Sequence, residues 1–214
     1  MKVLLSICAH RYLEPRSVDC LIRTILSSDE DIQFGYSFQL EPMIDRARAM
    51  QAMDFLKTDF DVLLFLDDDI LYNVEDVHRL AEDAIEKQSI VCGPYAKKTE
   101  GAGIIAIPLK YEEFPLGPDG KLLEIRWGGT GFMAVPRIVF ETLSKDMELV
   151  KVRKDIEIWP FFMPFVCEAD GELIDLSEDF AFCENARNAG FKVWLDTRIA
   201  LGHIGPKVYV PGSN

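Results

Sequence analysis

Residues 61–70 read Asp-Val-Leu-Leu-Phe-Leu-Asp-Asp-Asp-Ile, an apolar run that ends in three consecutive carboxylates. The run predicts a strand buried on both faces, which is the habit of parallel sheets. In open α/β sheets ligands bind beyond the carboxyl ends of such strands. Three negative charges crowded there repel by roughly 4 kcal/mol per close pair at an effective dielectric of about 20. Either some carboxyls keep their protons or a cation sits among them. A hard divalent ion takes oxygen ligands and commonly carries substrate phosphates with it. The run therefore predicts a metal-phosphate site at a strand end.

The chain has 214 residues, enough for one sizeable α/β domain and short for two. Its formal charge of −13 argues against nucleic acid and against an anionic membrane surface as partners. It does not exclude a nucleotide, which one metal ion and one arginine can hold. The five cysteines, Cys8, Cys20, Cys92, Cys167 and Cys183, include no C-x-x-C pair. That fits a reduced, cytoplasmic chain better than a disulfide framework. Residues 1–9 faintly mimic a secretory signal but read as a first strand, and no apolar run reaches the ~20 residues of a membrane span.

Lys2 to Cys8 reads as a buried strand, followed by the polar loop Ala9-His10-Arg11-Tyr12. Helices are expected over Arg16 to Ser27 and Met43 to Lys57, with a strand near Asp31 to Phe38 between them. After the acid-ended strand, Asn73 caps a helix reaching about Lys87, whose Val74, Val77, Leu80, Ala81, Ala84 and Ile85 form one apolar face. Ser89 to Gly93 is a further short strand. The alternation of strand and helix predicts a mainly parallel sheet with right-handed crossovers in this half. In the second half, Gly103 to Leu109 and Leu122 to Trp127 resemble strands joined across the turn-rich Gly117-Pro118-Asp119-Gly120. A short helix follows Pro136, another runs from Ser177 to before Gly190, and Phe191 to Leu195 is a last short strand. The tail from Gly205 is rich in Gly and Pro and reads as a flap. The whole is one α/β domain over residues 1–214, with a smaller mixed or antiparallel portion in its second half.

The order of motifs carries a resemblance. Arg46-Ala47-Arg48, Phe65-Leu66-Asp67-Asp68-Asp69-Ile70, Gly129-Thr130-Gly131-Phe132-Met133, Ser177-Glu178-Asp179-Phe180-Ala181-Phe182 and Gly202-His203-Ile204-Gly205 follow one another along the chain. Together they resemble the GT-A class of nucleotide-sugar-dependent glycosyltransferases, over roughly residues 2 to 210. The size is similar to that of the small stand-alone GT-A domains of bacteria and large DNA viruses. The resemblance implies a Rossmann-like single domain: residues up to about 100 hold nucleotide and metal, and the remainder holds donor sugar and acceptor. It implies a Mn2+ or Mg2+ cofactor, a nucleotide-sugar donor with UDP favoured over GDP, and a glycan, glycoprotein or other hydroxyl acceptor.

Residue by residue, the resemblance makes Asp69 a metal ligand and divides metal and ribose contact between Asp67 and Asp68. On an extended strand Asp67 and Asp69 share a side, which favours that pair at the metal as long as the strand continues. His203 matches a late histidine ligand, and imidazole tilts the choice toward manganese. Glu178 and Asp179 match the carboxylate that, in inverting members, takes the acceptor proton, with Asp179 favoured as base. The plain alternative is that acids in a first turn complement the helix dipole. Ala9, His10 and Arg11 match a nucleobase-contacting loop. Arg48 matches an arginine that meets base or diphosphate, although Ala49 stands where many relatives have asparagine. Gly129, Thr130 and Gly131 match the segment beneath the donor sugar, and Trp127 is a candidate to stack on a sugar face or to fill the core. The aromatic stretch from Trp159 to Phe165 offers the same choice between acceptor site and core.

Two other enzyme classes lack their signatures. A nucleotidyltransferase usually carries a Gly-rich, lysine-containing loop after its first strand, and a P-loop ATPase requires G-x-x-x-x-G-K-[ST]. Neither is present. A catalytically silent nucleotide-sugar-binding module is the non-enzyme alternative. Whether transfer would invert or retain the anomeric centre is open at this level.

Overall fold

The computed structural model describes residues 1–9, 13–99, 103–110 and 113–211. The chain runs β1 (Lys2–Cys8), α1 (Pro15–Leu26), β2 (Gln33–Gln39), α2 (Ile44–Leu56), β3 (Val62–Asp67), β4 (Ile70–Leu71), α3 (Val74–Lys87), β5 (Ile90–Cys92) and β6 (Ala106–Pro108). It continues through β7 (Leu122–Gly128), β8 (Phe132–Pro136), α4 (Arg137–Asp146), β9 (Val150–Arg153), β10 (Ile156–Ile158), β11 (Phe165–Ala169) and β12 (Glu172–Leu176). It closes with α5 (Glu178–Asn188), β13 (Val193–Asp196), β14 (Gly202–Ile204) and β15 (Val208–Tyr209).

Eight strands form the central sheet in the order β2-β1-β3-β8-β5-β13-β7-β6. β1 pairs in parallel with β2 and β3, and β13 with β5. The other neighbours pair antiparallel, because β8 runs against both β3 and β5, and β7 against β13 and β6. The sheet is therefore mixed, where the strand-helix alternation predicts a mainly parallel one. An apolar run reports that a strand is buried on both faces and says nothing about the direction of its neighbours. β8 also seats a strand of the second half between two of the first, so the two halves share one sheet.

β3 shows why the run at 62–66 is continuous. Leu63 and Phe65 face one core with Ala52, Phe55, Phe140, Phe162 and Phe182, under α2, α4 and α5. Val62, Leu64 and Leu66 face the other with Leu21, Val77, Leu80 and Phe132, under α1 and α3. With helices on both faces every position is apolar, and each large side chain contributes about 1.5–3 kcal/mol of burial. α3 begins as the sequence predicts: the Asn73 backbone N–H donates to Asp76 Oδ2 at 2.9 Å, the return half of a capping box. The five cysteines are free thiols. Among the described residues, no helix is long and apolar enough to cross a membrane.

Candidate functional site

The apolar run stops at Asp67, and the chain turns at once: Asp68 and Asp69 form the turn between β3 and β4. The two-residue periodicity of a strand therefore ends before it can put Asp67 and Asp69 on one side. Asp67 Oδ1 instead accepts a hydrogen bond from Arg48 at 3.0 Å. Asp69 has different partners, His203 and Lys98. Asp68 makes no ion pair among the described residues, and its carboxyl is pushed up to about 6 by burial and then by the charges of Asp69 and Asp67.

His203 reaches the turn through strand pairing. β4 and β14 pair antiparallel, with Ile70 opposite His203 and Leu71 opposite Gly202. The backbone N–H of Ile204 donates to the carbonyl of Asp69 at 2.8 Å. His203 Nε2 then lies 3.4 Å from Asp69 Oδ1, while Nδ1 lies 2.7 Å from the carbonyl of Ala96. A carbonyl only accepts, so Nδ1 carries the proton. In the neutral ring Nε2 consequently presents a lone pair to an acceptor-only carboxylate. That arrangement calls for a proton or a cation between them. Burial works to raise the Asp69 carboxyl, but hydrogen bonds from His203, when its ring carries both protons, and from Lys98 override it and hold it below the usual range.

Arg48 lies beneath the turn, on α2, with 4 % of its side chain exposed. It binds Asp67, donates to the Thr130 carbonyl at 3.4 Å, and brings Nε within 4.0 Å of Glu178 Oε1. Its ring neighbour is Phe65, 5.8 Å below the guanidinium carbon. An ion so enclosed fixes carboxylates in place, and its burial leaves little of it for a base or diphosphate to meet. Arg46, two residues earlier, lines a separate cleft with Asp45, Val152, Pro160, Phe162 and Met163.

The segment Gly129, Thr130, Gly131 is buried and packs under the acids. The Gly131 N–H donates to the Tyr95 hydroxyl at 3.0 Å, and its carbonyl accepts from the Asp67 N–H at 2.9 Å. A Cβ on Gly131 would sit 2.8 Å from Asp67 Oδ2 and from the Tyr95 ring, which is why glycine stands there. Its close approach is to protein, where the resemblance implies a sugar. Trp127 also belongs to the core. It is 4 % exposed, stacks on Phe180 with 5.5 Å between ring centroids, and donates to Glu184 at 2.8 Å. Its face is already covered, so it is not available to a donor sugar. In the aromatic stretch, Phe161 and Phe162 are fully buried core.

Glu178 and Asp179 open α5 and have different surroundings. Asp179 Oδ1 accepts from the Ser177 hydroxyl and from the Phe180 N–H, the latter at 2.8 Å, as a residue tied to its own helix start does. Glu178 lines the cleft. Its carboxyl is raised first by burial and then by Asp179, against the pull of Arg48. The geometry thus favours Glu178 over Asp179 as a proton acceptor.

These groups surround a cleft of about 340 Å³ lined by Cys8, Ala9, Glu41, Arg48, the three acids and Glu178. It opens at the carboxyl ends of β1 and β3, where the general rule for α/β sheets puts a ligand. Ala9 is at its wall, while His10 and Arg11 lie outside the described residues. Burial pushes the Cys8 thiol up to about 12. Among the described residues no group of three or more His, Cys, Asp or Glu side chains is arranged to hold a metal. The protein offers the pair Asp69 and His203, a donor set that suits a cation completed by phosphate oxygens and water.

Sequence reasoning passed over the segment after β5, Gly93-Pro94-Tyr95-Ala96-Lys97-Lys98. Tyr95 packs edge-on against His203 at 5.3 Å, Ala96 orients the imidazole, and Lys98 holds Asp69. The carboxyl-end rule that singles out β3 would have singled out this segment too, had it been applied to β5.

No family model matches the chain, and no curated protein matches it. Among solved structures, the fold is similar to that of the crystal structure of A197 from STIV. The TM-score is 0.64, with 18% sequence identity, over 100% of this chain and 96% of that one. At that identity the likeness bears on the fold alone.

Proposed function

We propose that this chain is a metal-dependent glycosyltransferase of the GT-A type, which moves a sugar from a nucleoside diphosphate, with UDP favoured, to an acceptor hydroxyl. The observation that carries the reading is the meeting of Asp69 with His203. Two residues far apart in sequence converge at the sheet's carboxyl end, beside a cleft walled by Asp67, Asp68 and Glu178. The orienting carbonyl behind His203 is the outer-shell partner expected of a metal-bound histidine. Asp69 and His203, with Asp67 or Asp68 nearby, would hold Mn2+ or Mg2+. Such an ion, when bound, supplies a Lewis acid to the departing diphosphate.

The chain's own residues supply the rest. Arg48 fixes Asp67 from below so that its carboxylate keeps one orientation. Gly131 allows Asp67 and Tyr95 to close together. Glu178, raised by its burial, accepts the acceptor's proton if transfer inverts the anomeric centre. Asp179 orders the first turn of α5 that carries Glu178. The acid turn, the sheet end and the late histidine support the GT-A reading over a nucleotidyltransferase.

A silent nucleotide-sugar-binding module draws support from Lys98, which already neutralises Asp69. One assay separates the two. Purified protein is incubated with a panel of nucleotide sugars, with and without Mn2+, and free nucleotide is measured. Mn2+-dependent release from at least one donor is expected, and Asp69→Asn should abolish both the release and the Mn2+-dependent part of UDP binding. Binding without release from any donor favours the module. Equal UDP affinity with and without Mn2+ removes the metal assignment.

A further inference from the structure

Arg48 and Lys98 both neutralise the acid turn, but only one of them is built to stay. Arg48 is 4 % exposed and bonded on several sides. The Lys98 side chain is 39 % exposed and, among the described residues, forms its one ion pair with Asp69 Oδ2. Lysine is a compact charge on a four-carbon flexible stem, which gives up a partner more readily than a forked guanidinium does. The ammonium occupies the oxygen beside the one that faces His203 Nε2. Any cation drawing on Asp69 and His203 therefore finds that carboxylate already neutralised.

The placement of Lys98 follows from its segment. Tyr95 bridges in parallel to Leu201, Ile104 pairs opposite Ala96, and the Lys97 N–H donates to the Gly103 carbonyl at 3.2 Å. The Lys98 stem runs past Gly205, where a Cβ would lie 3.5 Å from its Cδ. The same short stretch thus aims the His203 ring and delivers a positive charge to Asp69.

We propose that Lys98 is an exchangeable counter-cation: its ammonium holds Asp69 in the metal-free protein and is displaced when a divalent cation binds. The inference rests on the metal reading above and adds a competitor to it. Displacement makes metal affinity a difference between two cations for one carboxylate. Removing the lysine charge should then tighten metal binding, although a basic side chain is lost from near the site. The gain should be about two- to fivefold, the worth of a partly exposed ion pair.

The test titrates Mn2+ alone by calorimetry into the wild-type protein, Lys98→Met and Lys98→Arg, with folding checked by circular dichroism. Tighter binding by the methionine variant, with the arginine variant near wild type, is the expected result. In parallel, wild-type protein is treated with an amine-acetylating reagent, and modification of Lys98 is followed by mass spectrometry against Lys57 as a control. Mn2+ should raise the rate at Lys98 and leave Lys57 unchanged. Equal Mn2+ affinity in wild type and Lys98→Met, or no change in labelling, overturns the proposal and leaves the metal site standing. Absence of Mn2+ binding in all three proteins removes the metal reading and this proposal together.

Discussion

At the scale of single residues, the site is a problem of charge placed by burial. Asp67 is tied from below by a buried arginine, Asp69 is shared between His203 and Lys98, and Asp68 is left without an ion pair among the described residues. The two acids at the start of α5 divide in a similar way. Asp179 spends one oxygen on its own helix start, and Glu178 faces the cleft with a raised carboxyl. Glu178→Gln should therefore slow transfer by about a hundredfold or more while leaving UDP affinity unchanged, since general-base catalysis is worth 10²–10⁴-fold. Steady-state kinetics alongside calorimetric UDP binding checks this. Near-normal turnover would show that Glu178 takes no proton, as in a retaining mechanism. The sequence supplied both carboxylates but could not choose between them, because adjacent residues in a first helical turn diverge in direction and only the packing says which one meets the cleft.

At the scale of elements, short pairings do the positioning. β4 and β14 hold two and three residues, yet their register decides that His203 meets Asp69. Strands this short have no readable periodicity, so His203 could be tied to the acids beforehand only through a family resemblance. The β9–β10 and β11–β12 hairpins also escaped prediction. The segment after β5 is the less obvious case, because its contribution is a carbonyl, a ring edge and an ammonium rather than a motif. Tyr95 tests it. Tyr95→Phe keeps the ring that packs on His203 but leaves the buried Gly131 N–H without its acceptor at 3.0 Å. Unfolding titrations should show a loss of about 1–3 kcal/mol, the cost of an unsatisfied buried donor. Mn2+ affinity should also fall, because Gly131 accepts from the Asp67 N–H. No loss of stability would mean that water replaces the hydroxyl.

At the scale of the whole molecule, the acid turn lies apart from the packing that builds the core. Two apolar cores sandwich the sheet, and the acid turn lies at its end rather than inside either core. Chelation should therefore leave the circular dichroism unchanged. A Mn2+ excess of 100 times the dissociation constant should stabilise the native state by about 2.7 kcal/mol, read as a higher melting temperature, and Asp69→Asn should cancel that gain. Unfolding on chelation would instead make the metal structural. The sequence by itself determined the elements with strong patterns: the first strand, the acid-ended strand, the capped helix from Val74 to Lys87, and a cluster of carboxylates at a strand end. These follow from local physics, since periodicity, capping and charge crowding act over neighbouring residues. Tertiary structure decided the rest. It gave the sheet its mixed directions, buried Trp127 against Phe180, paired Asp67 with Arg48 and Asp69 with His203, and brought Lys98 to the carboxylate that His203 faces. Each of these depends on which distant segments share space, and an amino-acid string encodes that only through the packing of the whole chain.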